Sequence, residues 1–331
     1  MTRKIVDQLH KSRTILVASH TKPDGDAVGA LLAFGLALRA MNKEVYIYNQ
    51  SPIPAVYRFL PLVSAIRQAL PMPAEFDAVV ILDCGAIERV GKLQTQIRNA
   101  PMIINVDHHL TNTRFGHLRL IDPEACASAE LVYRLITMLA VKFDRPMATA
   151  IYTGILTDTG SFRFSNTNKA AFAICAEMIA HGADPYDVAQ HVYGHYSLGR
   201  IKLLNLALDS LVITPNGKIS IMSVTQEMLK VTGTQAQDID GIINYARRIE
   251  DVEVAALIHE TDVAKELQSG RANYHVSLRS DGLVDVAGIA SRFGGGGHAN
   301  AAGFNMAATL EEVKALLFKL SQTTHGLCAV N

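Results

Sequence analysis

Short, predominantly apolar runs punctuate the first half of the chain at Thr14–Ala18 (TILVA), Ala78–Leu82 (AVVIL) and Met102–Val106 (MIINV). A strand with one wet face alternates apolar and polar residues, so runs like these must be covered on both sides. A further strand reads at Glu44–Asn49 (EVYIYN), and Asp26–Met41, rich in alanine and leucine, reads as a helix buried on most sides. Strands alternating with helices in this way restrict the first half to an α/β fold with a doubly wound, mostly parallel sheet. Such sheets bind ligands beyond the carboxyl ends of their strands. Each apolar run is followed there by acidic or histidine residues: His20-x3-Asp24-x-Asp26, Asp83, and Asp107-His108-His109.

The pattern then changes. Residues 126–208 are mostly helical, with helices expected at Ala129–Val141, Met147–Leu156, Lys169–His181 and Ser197–Ser210. The last third returns to strands at Lys218–Val224, Val252–Glu260 and Tyr274–Arg279, with helices at Gln237–Ile249, Val286–Phe293 and Leu310–Leu320. This predicts a larger domain over 1–190, a helical connector over 191–210 and a smaller α/β domain over 211–325.

Composition excludes several classes. Of 331 residues, 49% are hydrophobic and 19% charged, enough to build cores and too apolar for wholesale disorder. Lysine plus arginine equals aspartate plus glutamate at 31 each, which argues against a long basic groove for duplex DNA. A short anionic substrate stays open, because bound cations supply charge the count omits. No run approaches the ~18 apolar residues of a membrane span, and MTRKIVDQLHKSR has no signal-peptide core. The cysteines, Cys84, Cys126, Cys175 and Cys328, form no CxxC pair and read as reduced thiols of a cytoplasmic protein.

Each cluster also has an ordinary reading. Asp24-Gly25 suits a turn and Asp26 a helix start. Asp83 could cap a turn, although a carboxylate leaving a buried strand needs a partner or a metal. In Asp107-His108-His109, one histidine can ligate a metal while the other bonds an oxyanion, and Asp107 can orient a ring. Asp158, in Thr157-Asp158-Thr159-Gly160, is unremarked alone. Near the C-terminus, Gly294, Gly295, Gly296 and Gly297 precede His298, and Arg279 lies on the preceding strand. Successive glycines let backbone N–H groups approach a phosphate, and an arginine can clamp one bidentately.

Taken jointly and in this order, HxxxDxD at 20–26, Asp83, the Asp107-His108-His109 triplet, TDTG at 157–160, and GGGGH at 294–298 followed by Ala301-Ala302-Gly303 resemble the DHH phosphoesterase superfamily with its associated C-terminal domain. Length and layout are most similar to the oligoribonuclease/pAp-phosphatase branch. Ala30 departs from the serine that many relatives carry. The resemblance implies two divalent cations in a cleft between the domains. His20, Asp24 and Asp83 would hold one, and Asp26, Asp83, His108 and Asp158 the other, with Asp83 bridging. Mixed carboxylate and imidazole ligands favour Mn²⁺, with Mg²⁺ as the alternative. Asp83, Asp107 and His109 would serve catalysis by metal-activated hydroxide attack, with His109 on a phosphate oxygen. Arg279, Gly294–Gly297 and His298 would bind substrate. Expected substrates are short single-stranded RNA or dinucleotides, released as mononucleotides, and 3′-phosphoadenosine 5′-phosphate (pAp), converted to AMP. The alternatives are a cyclic or linear dinucleotide phosphodiesterase acting on c-di-AMP or pApA, and a catalytically silent nucleotide sensor. No membrane partner is expected, and a homodimer is the assembly entertained.

Overall fold

The computed structural model describes residues 2–70, 75–194, 196–261 and 271–323. They fall into two compact units, Met1–His195 and Tyr196–Asn331.

The first unit is built on strands β1 (Thr14–Ala18), β2 (Glu44–Tyr48), β3 (Ile66–Arg67), β4 (Ala78–Leu82), β5 (Ile103–Asp107) and β6 (Leu118–Ile121). They form one sheet in the order β3-β2-β1-β4-β5-β6, with every pairing parallel. Its helices are α1 (Thr2–Lys11), α2 (Gly25–Ala40), α3 (Gln94–Arg98), α4 (Ser128–Met138), α5 (Arg145–Asp158), α6 (Lys169–Ala180) and α7 (Pro185–Ala189). The apolar runs divide by strand alternation between two cores. Ile15, Val17, Val80, Leu82, Ile104 and Val106 pack with α2, α4 and α5. Leu16, Ala18, Val79, Ile81 and Ile103 pack on the opposite face with Ile87, Val90 and Ile97. Each fully buried aliphatic side chain contributes roughly 1.5–3 kcal/mol, which makes the covered sheet a rigid base for its strand ends.

Two edge strands escape the sequence pattern. β3 has only two residues, and β6 (LRLI) is half-buried rather than continuously apolar. Helix ends shift for local reasons. α5 begins at Arg145, ahead of the expected Met147, because Asp144 accepts from the Met147 N–H at 2.9 Å and Pro146 fits the first turn. α4 stops at Met138, and Ala140 turns left-handed at φ +55°.

The second unit has strands β7 (Val212–Ile213), β8 (Ile219–Val224), β9 (Val254–Glu260), β10 (Ala272–Ser280), β11 (Gly296–His298) and β12 (Ala301–Ala308), ordered β11-β12-β10-β9-β8-β7. Only the β8–β9 pairing is parallel among them. Its helices are α8 (Leu198–Asp209), α9 (Gln226–Thr232), α10 (Ile243–Arg247), α11 (Val286–Ser291) and α12 (Leu310–Thr323). α8 lies within the stretch expected as a connector and packs Leu203 and Ala207 against Met222, Val224 and Ile243. The single helix expected over Gln237–Ile249 is instead a 3₁₀ turn, Ala236–Ile239, followed by α10. Gly241, at φ +83°, separates them. No described helix is long and apolar enough to cross a membrane.

Candidate metal centre

The strand order reverses direction between β1 and β4, and an α/β sheet opens its ligand crevice at such a switch point. His20 lies just beyond β1, Asp83 follows β4 directly, and Asp107 closes β5. Asp83 adopts φ +52°, a left-handed conformation that aspartate tolerates better than most residues. Asp26 and Asp158 arrive on helices, in the first turn of α2 and at the last residue of α5.

Both inner histidines are aimed alike. His20 Nδ1 meets the Thr21 carbonyl at 2.9 Å, which turns Nε2 toward Asp83 Oδ2 (3.4 Å) and Asp24 Oδ2 (4.0 Å). His108 Nδ1 meets the Ala125 carbonyl at 3.2 Å, which turns Nε2 toward Asp158 Oδ2 (3.5 Å) and Asp83 Oδ1 (3.9 Å). Backbone anchoring of one ring nitrogen is how proteins present the other to a metal. Asp83 faces the two histidines with different oxygens. His20, Asp24 and Asp83 have ligand atoms within 4.8 Å of one another, as do Asp26, His108 and Asp158, and Asp83, His108 and His109. The structure thus brings together all six side chains expected around cations. Asp26 also accepts from the Ser128 N–H at 2.6 Å and the Ala129 N–H at 2.8 Å, so its carboxylate caps α4 from another element.

The donor set fits divalent cations. Asp26 and Asp83 are each 1% exposed. Among the described residues the ion-pair partners of Asp24, Asp83 and Asp158 are histidines, with no lysine or arginine. Buried carboxylates without a fixed cation repel one another. Burial, with the charges of Asp83 and Asp158, pushes Asp26 well above its ordinary range. Burial, offset in part by His108 and reinforced by Asp83 and Asp24, raises Asp158 to about 7. Asp83 goes the other way: burial opposes its charge, but the hydrogen bond and charge of His20 and the charges of His109 and His108 hold it below the carboxylate range. His109 resists burial through Asp107, whose Oδ1 lies 2.6 Å from Nδ1, and through the Asp83 charge, and rises to about 9.

These shifts predict how the metal-free protein responds to pH. Relative to the unfolded chain, Asp158 binds extra proton between roughly pH 4 and 7, and His109 between roughly pH 6.5 and 9. Where the native state binds more protons, stability falls as pH rises. The depressed Asp83 acts oppositely, but only below about pH 4, as its pKa lies under the unfolded value. The Tm of chelator-treated protein should therefore fall between pH 5 and 9, and added Mn²⁺ should raise it more at pH 8 than at pH 5. Thermal melts with and without Mn²⁺ check this; a Tm that climbs with pH in chelator contradicts it.

In the second unit, Arg279 lies on β10 opposite Ala301, which in turn pairs with His298, so the three backbones are in register across three strands. The His298 side chain lies outside the described part. Burial and the neighbouring Arg247 charge lower the Arg279 pKa, with Asp240 opposing, an environment that favours an anion. The glycine run divides by role. Gly294 and Gly295 N–H donate to the Ser291 and Ala290 carbonyls at 3.1 and 2.9 Å, ending α11. A Cβ on Gly295 would lie 2.2 Å from the Gly303 carbonyl oxygen, and one on Gly297 would lie 2.4 Å from that of Ala301, so close strand packing requires both glycines. Gly296, on β11, faces open space.

Three polar residues at the first unit's site have no sequence signal strong enough to single them out. Ser128 donates to Asp83 Oδ1 at 3.0 Å. Asn112, five residues beyond Asp107, donates to Asp107 Oδ2 at 2.5 Å and to Asn105 Oδ1 at 2.9 Å. Asn166 donates to Asp158 Oδ2 at 3.1 Å. Serine and asparagine are common in turns and caps, so only spatial proximity marks them.

Comparison with known proteins agrees with this architecture. The DHH family N-terminal domain matches residues 14–155, and the DHHA1 domain matches residues 222–325. A Thermus thermophilus protein named bifunctional oligoribonuclease and PAP phosphatase NrnA is 33% identical over 292 residues, covering 87% of this chain and 83% of its own. The Bacillus subtilis protein of the same name is 24% identical over 307 residues, covering 92% of each. The crystal structure of an exopolyphosphatase-related protein from Bacteroides fragilis superposes with a TM-score of 0.89 at 26% identity, over 97% of this chain and 96% of that one. With both domains matched in order and a relative one-third identical across most of its length, the chain belongs to the DHH family of phosphoesterases.

Proposed function

We propose that this chain is a divalent-cation-dependent phosphoesterase that hydrolyses short RNA oligonucleotides to mononucleotides and dephosphorylates pAp to AMP. The observation that carries the reading is Asp83, whose two oxygens face separate histidine–carboxylate groups at one switch point. The substrates follow from the names of the Thermus and Bacillus relatives. His20, Asp24 and Asp83 would hold one cation, and Asp26, His108 and Asp158 the other, with Asp83 shared. The carboxylate–imidazole set favours Mn²⁺. Bound there, the cations would polarise the phosphate and make water acidic enough to attack at neutral pH.

The remaining tasks fall to side chains. Asp107 fixes the His109 ring through Nδ1 and keeps it protonated at neutral pH, so that Nε2 can donate to a non-bridging phosphate oxygen as negative charge builds there. Asn112 holds the second oxygen of Asp107, which keeps the carboxylate from rotating. Within the second unit, Arg279 with Gly296 and Gly297 would bind a phosphate group of the substrate. Arg279→Ala should raise KM roughly 10–100-fold, the equivalent of a charged hydrogen bond worth about 1.5–3 kcal/mol, with kcat nearly unchanged. Steady-state kinetics on a labelled dinucleotide check this; loss of bound metal in the variant would contradict the assignment.

The function is tested by incubating the protein and Mn²⁺ with 5′-labelled RNA of two to five nucleotides, pAp, c-di-AMP and pyrophosphate. Release of mononucleotides and conversion of pAp to AMP are expected. Rapid opening of c-di-AMP with inert RNA would replace the reading with a dinucleotide phosphodiesterase. Metal binding without turnover of any of these would make the protein a sensor. The reading includes a cytoplasmic enzyme and a homodimer, the latter tested by sedimentation equilibrium.

A further inference from the structure

Asn166 ties together two elements that the sheet does not connect. Its Nδ2 donates to the Cys126 carbonyl at 2.8 Å, and lies 3.1 Å from Asp158 Oδ2 and 3.2 Å from the Asp158 carbonyl. The carbonyl just before, that of Ala125, is the one that aims His108. One side-chain amide therefore links the segment that orients His108 to the helix end that carries Asp158, and these two face each other at 3.5 Å. The intervening chain is unusual. Gly160, Ser161 and Phe162 are all left-handed, at φ +56°, +61° and +62°. Such residues cost of order 1–3 kcal/mol each when they are not glycine and persist where the surroundings impose them. After this reversal Asn166 meets Asp158 eight residues on. Its Oδ1 is buried and has no hydrogen-bond partner among the described residues.

We propose that Asn166 is a positioning residue for the Asp26–His108–Asp158 group, its amide fixing the carboxylate of Asp158 and so setting the affinity of one of the two cation positions. This rests on reading the acidic cluster as a two-cation centre. Asn166→Ala removes the donor, and Asn166→Ser leaves a shorter one.

Calorimetric titration of the metal-free full chain with Mn²⁺ separates the two ideas. Wild type should bind two ions. In Asn166→Ala one of them should weaken roughly 10–100-fold, the usual cost of losing a residue that orients a ligand, while the other stays within about twofold by the same reasoning. The Mn²⁺-induced rise in Tm should shrink, and excess Mn²⁺ should restore kcat. Asn166→Ser should fall between wild type and Ala, and it alone is read if Asn166→Ala does not fold. Unchanged affinity at both positions overturns the proposal, as does equal weakening of both, which would mark a general loosening of the fold. Wild type that binds no Mn²⁺ removes the two-cation reading and this proposal with it.

Discussion

Asp83→Asn should abolish turnover, lowering kcat/KM by about 10²–10⁴-fold, and should reduce Mn²⁺ binding from two ions to one or none. The magnitude corresponds to the roughly 3–5 kcal/mol typical of removing one partner from a buried charge cluster. Asparagine is the informative replacement. Asp83 sits at φ +52°, where alanine would add backbone strain, whereas asparagine tolerates that region nearly as well as aspartate. The substitution also keeps an oxygen for the Ser128 hydroxyl, now 3.0 Å from Oδ1. What it removes is the charge and one of two acceptor oxygens. Because Oδ2 faces His20 and Oδ1 faces His108, no single amide orientation presents an acceptor to both groups. Titration of the metal-free variant with Mn²⁺, with single-turnover assays on a labelled dinucleotide, checks the outcome. A variant that binds two ions and works within tenfold of wild type would show that Asp83 does not bridge.

Much of this was legible in the residues because the fold constrains them so tightly. A parallel sheet buried on both faces has few polar positions inside its strands, buried Asn105 in β5 being an exception. The first polar residue after TILVA or AVVIL therefore marks a strand end, and the ends beside the switch point are where ligands bind. Asp158 was harder. It arrives on a helix, and only the close approach of α5 to α2 makes it a neighbour of Asp26, which spacing along the chain does not encode. Asn112, Ser128 and Asn166 were silent for a similar reason: each acts through hydrogen bonds to residues far along the chain or across a turn, and has no periodicity. The glycine run was readable as a place of close backbone approach. Its division between ending α11 and pairing with β12 depends on strand β12, whose AAGFNMAA sequence has too weak an alternation to announce a strand.

The approach of α2 to α5 leads to the second large effect: Gly29→Val should destabilise the protein by about 3 kcal/mol, at the upper end for overpacking a core, and should weaken Mn²⁺ binding as well. A Cβ on Gly29 would lie 2.4 Å from the Ala150 carbonyl oxygen and 3.1 Å from the Gly154 nitrogen, both backbone atoms with no rotamer to yield. Gly25 meets Thr157 and Gly154 meets Ala129 and Asp26 at similarly short range, so glycines line the crossing of these two antiparallel helices. The gain of ~1 kcal/mol in helix propensity on replacing a mid-helix glycine does not offset such a clash. Relief requires α2 and α5 to separate, and that separation acts at the site, since α2 carries Asp26 in its first turn and α5 carries Asp158 in its last. In a unit of this size 3 kcal/mol corresponds to a Tm lower by roughly 6–12 °C. Thermal melts and Mn²⁺ titration on the same preparation test both halves. The group containing Asp26 and Asp158 should lose more affinity than the one containing His20 and Asp24. A folded variant with lowered Tm and undiminished Mn²⁺ affinity would mean that the strand-end loops alone, and not the spacing of the two helices, set the geometry of the centre.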